Sequence, residues 1–212
     1  MIDQESYISN TSVKRSGHRD DIAAKTGMWL FLFTELLLFS GLILIYIVFR
    51  GNYSHEFHEA ASHLNVKIGV VNTLILITSS LTIVISLAKL QRGFAHAASD
   101  YLWITIGLAG LFLMNKFVEW FEKIQHGYYP GSIFLETLPK GESLFYSLYY
   151  SLTGLHALHI IIGIIIMAFM VKQVGDGRID RNNYVKLENA ALYWHLVDII
   201  WIVLLPLFYL TN

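Results

Sequence analysis

Six ionisable side chains lie within stretches of this sequence that are otherwise almost entirely apolar. They are Glu35, Glu119, His156, His159, His195 and Asp198. An ionisable group near the centre of a lipid bilayer costs at least ~2.5 kcal/mol and is tolerated where it faces other protein groups. A carboxyl group beside imidazole groups either forms an ion pair with them or shares a proton. These residue types therefore indicate polar sites inside a membrane protein.

The histidines could also bind a metal or a haem. His156 and His159 are three residues apart and share one face of a helix. A haem usually takes axial ligands from facing helices, which makes His159 and His195 the candidate pair. The alternative is ordinary hydrogen bonding of the imidazoles to Glu35, to Asp198 or to hydroxyl side chains. The residues alone leave both interpretations open.

A second group of histidines follows the first apolar stretch, at His55, His58 and His63. The segment HEFHE at 55–59 does not match the HExxH zinc motif, because its histidines are three residues apart and not four. The segment is expected to be a solvated loop, with adventitious binding of a divalent cation as the alternative. No phosphate loop, nucleophile elbow or acid/base pair in a water-accessible cleft can be identified. We therefore predict no catalytic residue and no metal site in this chain.

The composition is that of an integral membrane protein. Of the 212 residues, 55% are hydrophobic, and the mean hydropathy is +0.51. Fifteen Lys and Arg against 16 Asp and Glu give a net charge of −1, which indicates no nucleic-acid partner. The sequence contains no cysteine, which excludes disulfides, iron–sulfur clusters and thiolate ligands to copper or haem in this chain.

Five apolar stretches are long enough to cross a bilayer as helices, since ~1.5 Å per residue must span ~30 Å of hydrocarbon. The predicted fold class is an all-α integral membrane protein, a bundle of five transmembrane helices. Residues 1–26 are predicted to be a polar cytoplasmic segment, and residues 27–212 a single membrane domain. Its predicted spans are 27–49, 68–90, 100–124, 143–172 and 187–211.

Helical spacing predicts which faces of the spans meet other helices. Trp194, Asp198 and Trp201 share one face of the last span, which must meet protein because it carries a carboxyl group. Lys116 and Glu119 have the spacing of a pair. The second span has a stripe of small polar residues that favours close packing and interhelical hydrogen bonds. That stripe consists of Asn72, Ser79, Thr82 and Ser86.

The distribution of basic residues predicts the orientation, because cytoplasmic loops retain positive charge. Ten Lys and Arg lie at the N-terminus and in the loops after the second and fourth spans, against four on the opposite side. The N-terminus is therefore predicted in the cytoplasm and the C-terminus outside. Lys172, Arg178 and Arg181 could also hold anionic lipid headgroups, each worth ~1 kcal/mol, although the orientation rule explains them equally well.

Five segments of the sequence, in order, carry a resemblance to a known family. Three of them are GMWLFLFTELLLFSG at 27–41, NTLILITSSLT at 72–82 and FVEWFE at 117–122. The most specific are TGLHALHIIIG at 153–163 and YWHLVDIIWIVLLPLFY at 193–209. Together they resemble the cytochrome c oxidase subunit III family, the third subunit of haem-copper terminal oxidases. Longer members of the family have seven spans, so this chain resembles the short five-span bacterial forms.

The resemblance implies a non-catalytic subunit without a redox centre. It would pack against oxidase subunit I, protect the enzyme from inactivation during turnover and support proton uptake from the cytoplasm. Glu35 would correspond to the family glutamate that reacts with carbodiimide, either as a group coupled to proton entry or as a hydrogen-bonded interhelical carboxyl. Haem and copper are expected in partner subunits. The implied partners are subunits I and II, a small subunit IV, a larger respiratory supercomplex and phospholipid of the bacterial inner membrane.

Other functions remain open at this point. The residues Glu35, His159, His195 and Asp198 could form the relay of a small proton-coupled transporter, although no broken helix or inverted repeat is visible. A membrane haem b anchor and an accessory subunit of a nitric oxide reductase are further alternatives. Within the oxidase interpretation, the electron donor could be a cytochrome c or a quinol.

Overall fold

The computed structural model describes the backbone of residues 4–210 and the side chains of residues 21–210. This part of the chain consists of seven helices and no strand. Their bounds are α1 Gln4–Asn52, α2 Ser54–Ser62, α3 Val66–Gln91, α4 Ala95–Gln125, α5 Ile133–Thr137, α6 Lys140–Gly175 and α7 Val185–Tyr209. Five of them, α1, α3, α4, α6 and α7, are long and apolar enough to span a membrane. The predicted fold class is confirmed.

The long helices extend beyond the predicted apolar spans. The helix α1 begins at Gln4 and continues without a break through the polar segment that precedes residue 27. Polar residues at the membrane surface can continue a helix, because its backbone hydrogen bonds form within the segment itself. The end of the last predicted span, at residue 211, lies outside the described residues.

Two short helices lie between the long ones. The prediction of a loop at residues 55–59 is wrong, because this segment lies on α2, which carries His55 and His58. One side of α2 is buried through Phe57, Ala60 and Ala61, so an amphipathic helix covers the end of the bundle. The helix α5 lies in the loop before α6, and its N-cap Ser132 accepts a hydrogen bond from the amide of Leu135.

The helices α6 and α7 form the centre of the bundle. The helix α7 packs against α1, α2, α3 and α6, whereas α1 packs only against α2, α6 and α7 among the described helices. The helices α3 and α4 form the most extensive pair and are joined by a tight turn at Gly93, whose φ of 87° favours glycine. The face of α7 that was predicted to meet protein is buried, including both tryptophans Trp194 and Trp201.

The small polar stripe of α3 is buried, and its residues form hydrogen bonds with neighbouring helices. Ser79 Oγ accepts a hydrogen bond from the indole nitrogen of Trp194 at 3.0 Å. The hydroxyls of Thr82 and Thr105 on α4 are 2.7 Å apart. Ser86 donates to the carbonyl of Ala98, also on α4, at 2.7 Å. The stripe therefore packs α3 against both α4 and α7, as its composition predicts.

Candidate functional site

Glu35 on α1 and His159 on α6 form a direct contact inside the apolar part of the bundle. Glu35 Oε2 lies 2.9 Å from His159 Nε2. The Glu35 side chain is 17% exposed and the His159 side chain 9%, so neighbouring protein atoms cover most of the contact. A carboxyl and an imidazole at this distance share a hydrogen bond, and their proton can lie on either group.

The other nitrogen of His159 determines how many protons the pair holds. His159 Nδ1 lies 2.8 Å from the carbonyl oxygen of Leu155. A carbonyl only accepts, so Nδ1 must carry a hydrogen. The contact with Glu35 then contains one proton, either as a carboxylic acid donating to imidazole or as an imidazolium donating to carboxylate. In both forms the pair is neutral overall, which is the state that an apolar environment favours.

Aromatic side chains hold the imidazole of His159 in place. The ring of Phe39 on α1 lies edge-on to it, with centroids 5.2 Å apart. Tyr193 on α7 stacks with it at 6.5 Å and donates a hydrogen bond to the backbone carbonyl of His159 at 3.1 Å. The helices α1, α6 and α7 thus meet at the Glu35–His159 pair.

The remaining two members of the predicted relay lie on α7 and contact α3 instead. His195 Nδ1 is 2.6 Å from the hydroxyl of Ser80. Asp198 is buried, with 4% of its surface exposed. Ser80 also lies near the Asp198 carboxyl, but within the described residues neither carboxyl oxygen makes a full hydrogen bond. The structure therefore joins Glu35 to His159 directly and separates both from the hydrogen bond of His195.

His156 has a different environment from its neighbour His159. It is completely buried, and its ring lies between Phe112 at 5.6 Å and Trp201 at 5.1 Å, measured between ring centroids. Neither of its ring nitrogens has a hydrogen-bond partner among residues 21–210. Although both histidines lie on the buried side of α6, they are not part of one polar cluster.

Glu119 belongs to a second buried polar cluster, apart from Glu35. It pairs with Lys116, as predicted, with Nζ and Oε2 3.1 Å apart. Lys116 also donates hydrogen bonds to the hydroxyls of Tyr149 at 2.9 Å and Tyr209 at 3.1 Å. Both hydroxyls in turn donate to Glu119 Oε1 at 2.7 Å. Because Lys116 has three hydrogens to donate, all of its hydrogen-bonding capacity is used.

The sequence pattern alone does not assign Tyr149 and Tyr209 to a polar site. Tyr149 lies on α6 and Tyr209 on α7, so the cluster ties α4, α6 and α7 together. The available signal was a buried Lys116 with three donor hydrogens and one nearby carboxylate, which left two donors without acceptors. Locating those acceptors requires knowing which helices are neighbours.

The predicted haem pair, His159 and His195, does not present two free imidazoles. Both ring nitrogens of His159 are within hydrogen-bonding distance of protein oxygens, and His195 contacts Ser80. Within the described residues, no three histidine, cysteine, aspartate or glutamate side chains form a group that could hold a metal ion. His55 and His58 lie on α2 and do not belong to such a group.

The three basic residues considered for lipid binding lie at the end of α6 and just beyond it. Lys172, Arg178 and Arg181 are all exposed. Arg178 is 3.9 Å from Asp176, at the limit of an ion pair. Their exposure is compatible with both lipid contact and the orientation signal.

Comparison with known proteins places these features in a family. The family model described as cytochrome c oxidase subunit III matches residues 16–212. A cytochrome c oxidase subunit 3 of Synechocystis is 31% identical over 96% of this chain and 82% of its own length. A cytochrome bo(3) ubiquinol oxidase subunit 3 of Pseudomonas putida is 27% identical over 88% of this chain and 84% of its own length. A heme-copper oxidase subunit I+III of Aeropyrum pernix is 27% identical over 88% of this chain and 22% of its own length.

Proposed function

This chain belongs to the cytochrome c oxidase subunit III family, and we propose that it is the accessory, non-catalytic subunit of a respiratory oxidase that reduces oxygen to water. The observation that carries the proposal is the match to the family over residues 16–212. As a multi-pass subunit of a haem-copper oxidase, the chain is part of an enzyme complex. The catalytic residues, haem and copper then belong to partner subunits.

The proposed direct partner is subunit I. A relative in which subunits I and III are parts of one polypeptide supports this, because fusion holds two chains at a shared interface. We extend the proposal to subunit II, a small subunit IV and membership of a larger respiratory assembly. Bound phospholipid at Lys172, Arg178 and Arg181 is a further part of it, as are the bacterial inner membrane and a cytoplasmic N-terminus.

The proposed role within the complex is to stabilise subunit I and to support proton uptake. The Glu35–His159 pair supports this role, because it holds one proton between two groups that can each carry it. Glu35 lies on α1, a peripheral helix, where much of the apolar surface is exposed and available to a neighbouring subunit or lipid. His195 and Asp198 are proposed as further proton-related groups of the same bundle.

Purification through a tag on this chain tests the proposal. The chain is isolated in mild detergent, and the preparation is examined by reduced-minus-oxidised spectroscopy and mass spectrometry. A haem-copper catalytic subunit in stoichiometric yield supports the accessory role, whereas a colourless preparation of the chain alone contradicts it.

The same preparation identifies the electron donor. The relatives include one named for cytochrome c and one named for ubiquinol. Subunit composition, haem type and turnover with reduced cytochrome c or a quinol separate these two donors. A catalytic subunit that reduces nitric oxide instead of oxygen contradicts the oxidase proposal.

A further inference from the structure

A continuous groove runs along the seam between α3 and α4, at the end of the bundle where α3 begins and α4 ends. Its mouth is a cavity of about 700 Å³ lined by the first turn of α3 and the last turns of α4. Below the mouth lies a cavity of about 320 Å³ lined by Val71, Asn115 and Val118. Lys67 and Ile68 line both cavities and join them. We refer to this feature as the seam groove.

The mouth of the seam groove carries positive charge that the protein does not neutralise. Lys67 forms no ion pair within residues 21–210, and Lys123 donates to the backbone carbonyl of His63 at 3.2 Å. Of the two glutamates on the wall, Glu119 is paired with Lys116. The carboxylate of Glu122 then balances one of the two ammonium groups of Lys67 and Lys123, which leaves a net charge of +1 at the mouth of the groove. This excess matches a phosphodiester, which carries one negative charge.

The lower part of the seam groove has the opposite character. Val71 and Val118 are 50% and 63% exposed and therefore face the hydrocarbon of the bilayer. At ~1.5 Å per residue, Val71 lies ~6 Å deeper in the membrane than Lys67 on α3. Asn115 lies ~12 Å deeper than Lys123 on α4. At this depth Asn115 donates a hydrogen bond to Asn72 at 2.8 Å, so its amide is satisfied by protein.

From this arrangement we infer that the seam groove binds one phospholipid of the adjacent leaflet. The phosphate lies between the ammonium groups of Lys67 and Lys123, and an acyl chain lies along Ile68, Val71 and Val118. This site is at the opposite end of the bundle from Lys172, Arg178 and Arg181. The inference requires that the chain is embedded in a membrane, and it does not depend on the identity of the catalytic partner.

The test measures bound phospholipid in the assembly purified through this chain. Native mass spectrometry and phosphorus analysis are applied to the wild type, to Lys67→Gln/Lys123→Gln and to Val71→Trp, which fills the apolar part. Lys140→Gln and Val70→Trp are the matched controls, because both residues are exposed near the same end and line neither cavity. Retention of this chain at wild-type stoichiometry shows that each variant has folded and assembled.

We expect both groove variants to lose a phospholipid that the controls retain. When lipid is titrated back into the delipidated assembly, each lysine substitution should weaken binding about fivefold, the factor that corresponds to ~1 kcal/mol. Vesicles of phosphatidylglycerol and of phosphatidylethanolamine serve as the lipid sources, and inorganic phosphate serves as the soluble source.

Three results would overturn the inference. The first is an unchanged lipid content in both groove variants. The second is loss of phosphorus in the lysine variant alone, with displacement by inorganic phosphate, which would identify a soluble anion. The third is a crosslink from position 67 to another subunit in the intact assembly, which would show a protein in the groove. The proposed oxidase function is judged separately, by the haem-containing partner.

Discussion

At the scale of single residues, two buried polar sites of the bundle differ in how their hydrogen bonds are arranged. Lys116 and Glu119 make every hydrogen bond that their cluster allows, whereas Glu35 and His159 share one proton that either can hold. The first arrangement stabilises one geometry. The second has two protonation forms of equal total charge, because the shared proton can lie on the carboxyl or on the imidazole.

Glu35 substitutions separate a proton-related role from a structural one. Glu35→Ala is expected to leave the optical spectrum of the oxidase unchanged, because we propose that the haems belong to another subunit, and to increase inactivation during turnover severalfold. Glu35→Gln preserves the shape and can donate to His159, but it holds no titratable proton. If the role of Glu35 depends on its proton, the Glu35→Gln oxidase should lose activity during turnover as fast as the Glu35→Ala oxidase.

The measurement is the number of turnovers completed before activity is lost, by oxygen consumption. Glu136→Ala is the control, since Glu136 is an exposed glutamate on α5. A wild-type turnover lifetime in both Glu35 variants would argue against a role in proton supply.

The Lys116 cluster predicts a characteristic pattern of stability. Lys116→Met leaves the carboxylate of Glu119 buried without its cation and should cost about 3–5 kcal/mol. Lys116→Met/Glu119→Leu removes both charges and should recover much of that loss, because apolar replacement of a buried pair is often close to neutral.

Thermal unfolding in detergent compares the three proteins, with the exposed Lys140→Met as the control. Losses that simply add in the double variant would show that the two residues do not act as a pair.

At the scale of helices, close approach of α6 and α7 is needed to place these groups. Gly163 on α6 lies against the indole of Trp194, and a Cβ built at Gly163 would lie 2.6 Å from the ring. Such a distance is shorter than any ordinary contact, so the helices can approach only where α6 has no side chain. The same approach brings His159 beside Tyr193.

Gly163→Ala is therefore expected to be destabilising, by about 1–3 kcal/mol for an overpacked contact. Gly154→Ala on the same helix is the matched control, because nothing lies within 4 Å of its added Cβ. There the gain in helix propensity should stabilise by about 0.5–1 kcal/mol. Thermal unfolding of both variants checks the prediction, and equal effects at the two glycines would disprove the proposed close contact.

The hydroxyl stripe of α3 leads to a prediction of the same kind. Ser79→Ala removes the acceptor of the Trp194 indole hydrogen and leaves a buried donor unsatisfied, at a cost of about 1–3 kcal/mol. Thr78→Ala is the comparison, since the exposed Thr78 donates to the carbonyl of Leu74 in its own helix. A loss of stability no larger than that of Thr78→Ala would show that the indole finds another partner.

At the scale of the whole molecule, the distribution of basic residues predicts how the five spans are oriented in the membrane. The sequence contains no cysteine, so single cysteines can be introduced without removing any. Ser62→Cys on α2 is expected to react with a membrane-impermeant maleimide added to intact cells. Arg92→Cys, in the turn between α3 and α4, is expected to react only after the membrane is opened. The reverse pattern would place the N-terminus outside and contradict the positive-inside prediction.

The features predicted from sequence are those that depend on neighbouring residues in the chain. Hydropathy and length identify five membrane helices, and helical spacing pairs Lys116 with Glu119 and predicts the buried stripe of α3. The same information failed for α2, because its nine residues combine only three buried side chains with charged ones. Local composition made that segment look like a loop.

What the tertiary structure decided is which distant residues meet. Glu35 and His159 are 124 positions apart, and Tyr209 is 90 positions from Glu119. Counting ~1.5 Å per residue along each helix from its cytoplasmic end gives Glu35, His159, His195 and Asp198 a similar depth, but depth does not say which helix faces which. That is determined by lateral packing, where Gly163 admits Trp194 and the α3 stripe receives α7. Hydropathy specifies how far each residue lies along the membrane normal, whereas the neighbours within the membrane plane follow from the shapes and hydrogen bonds of whole helix faces.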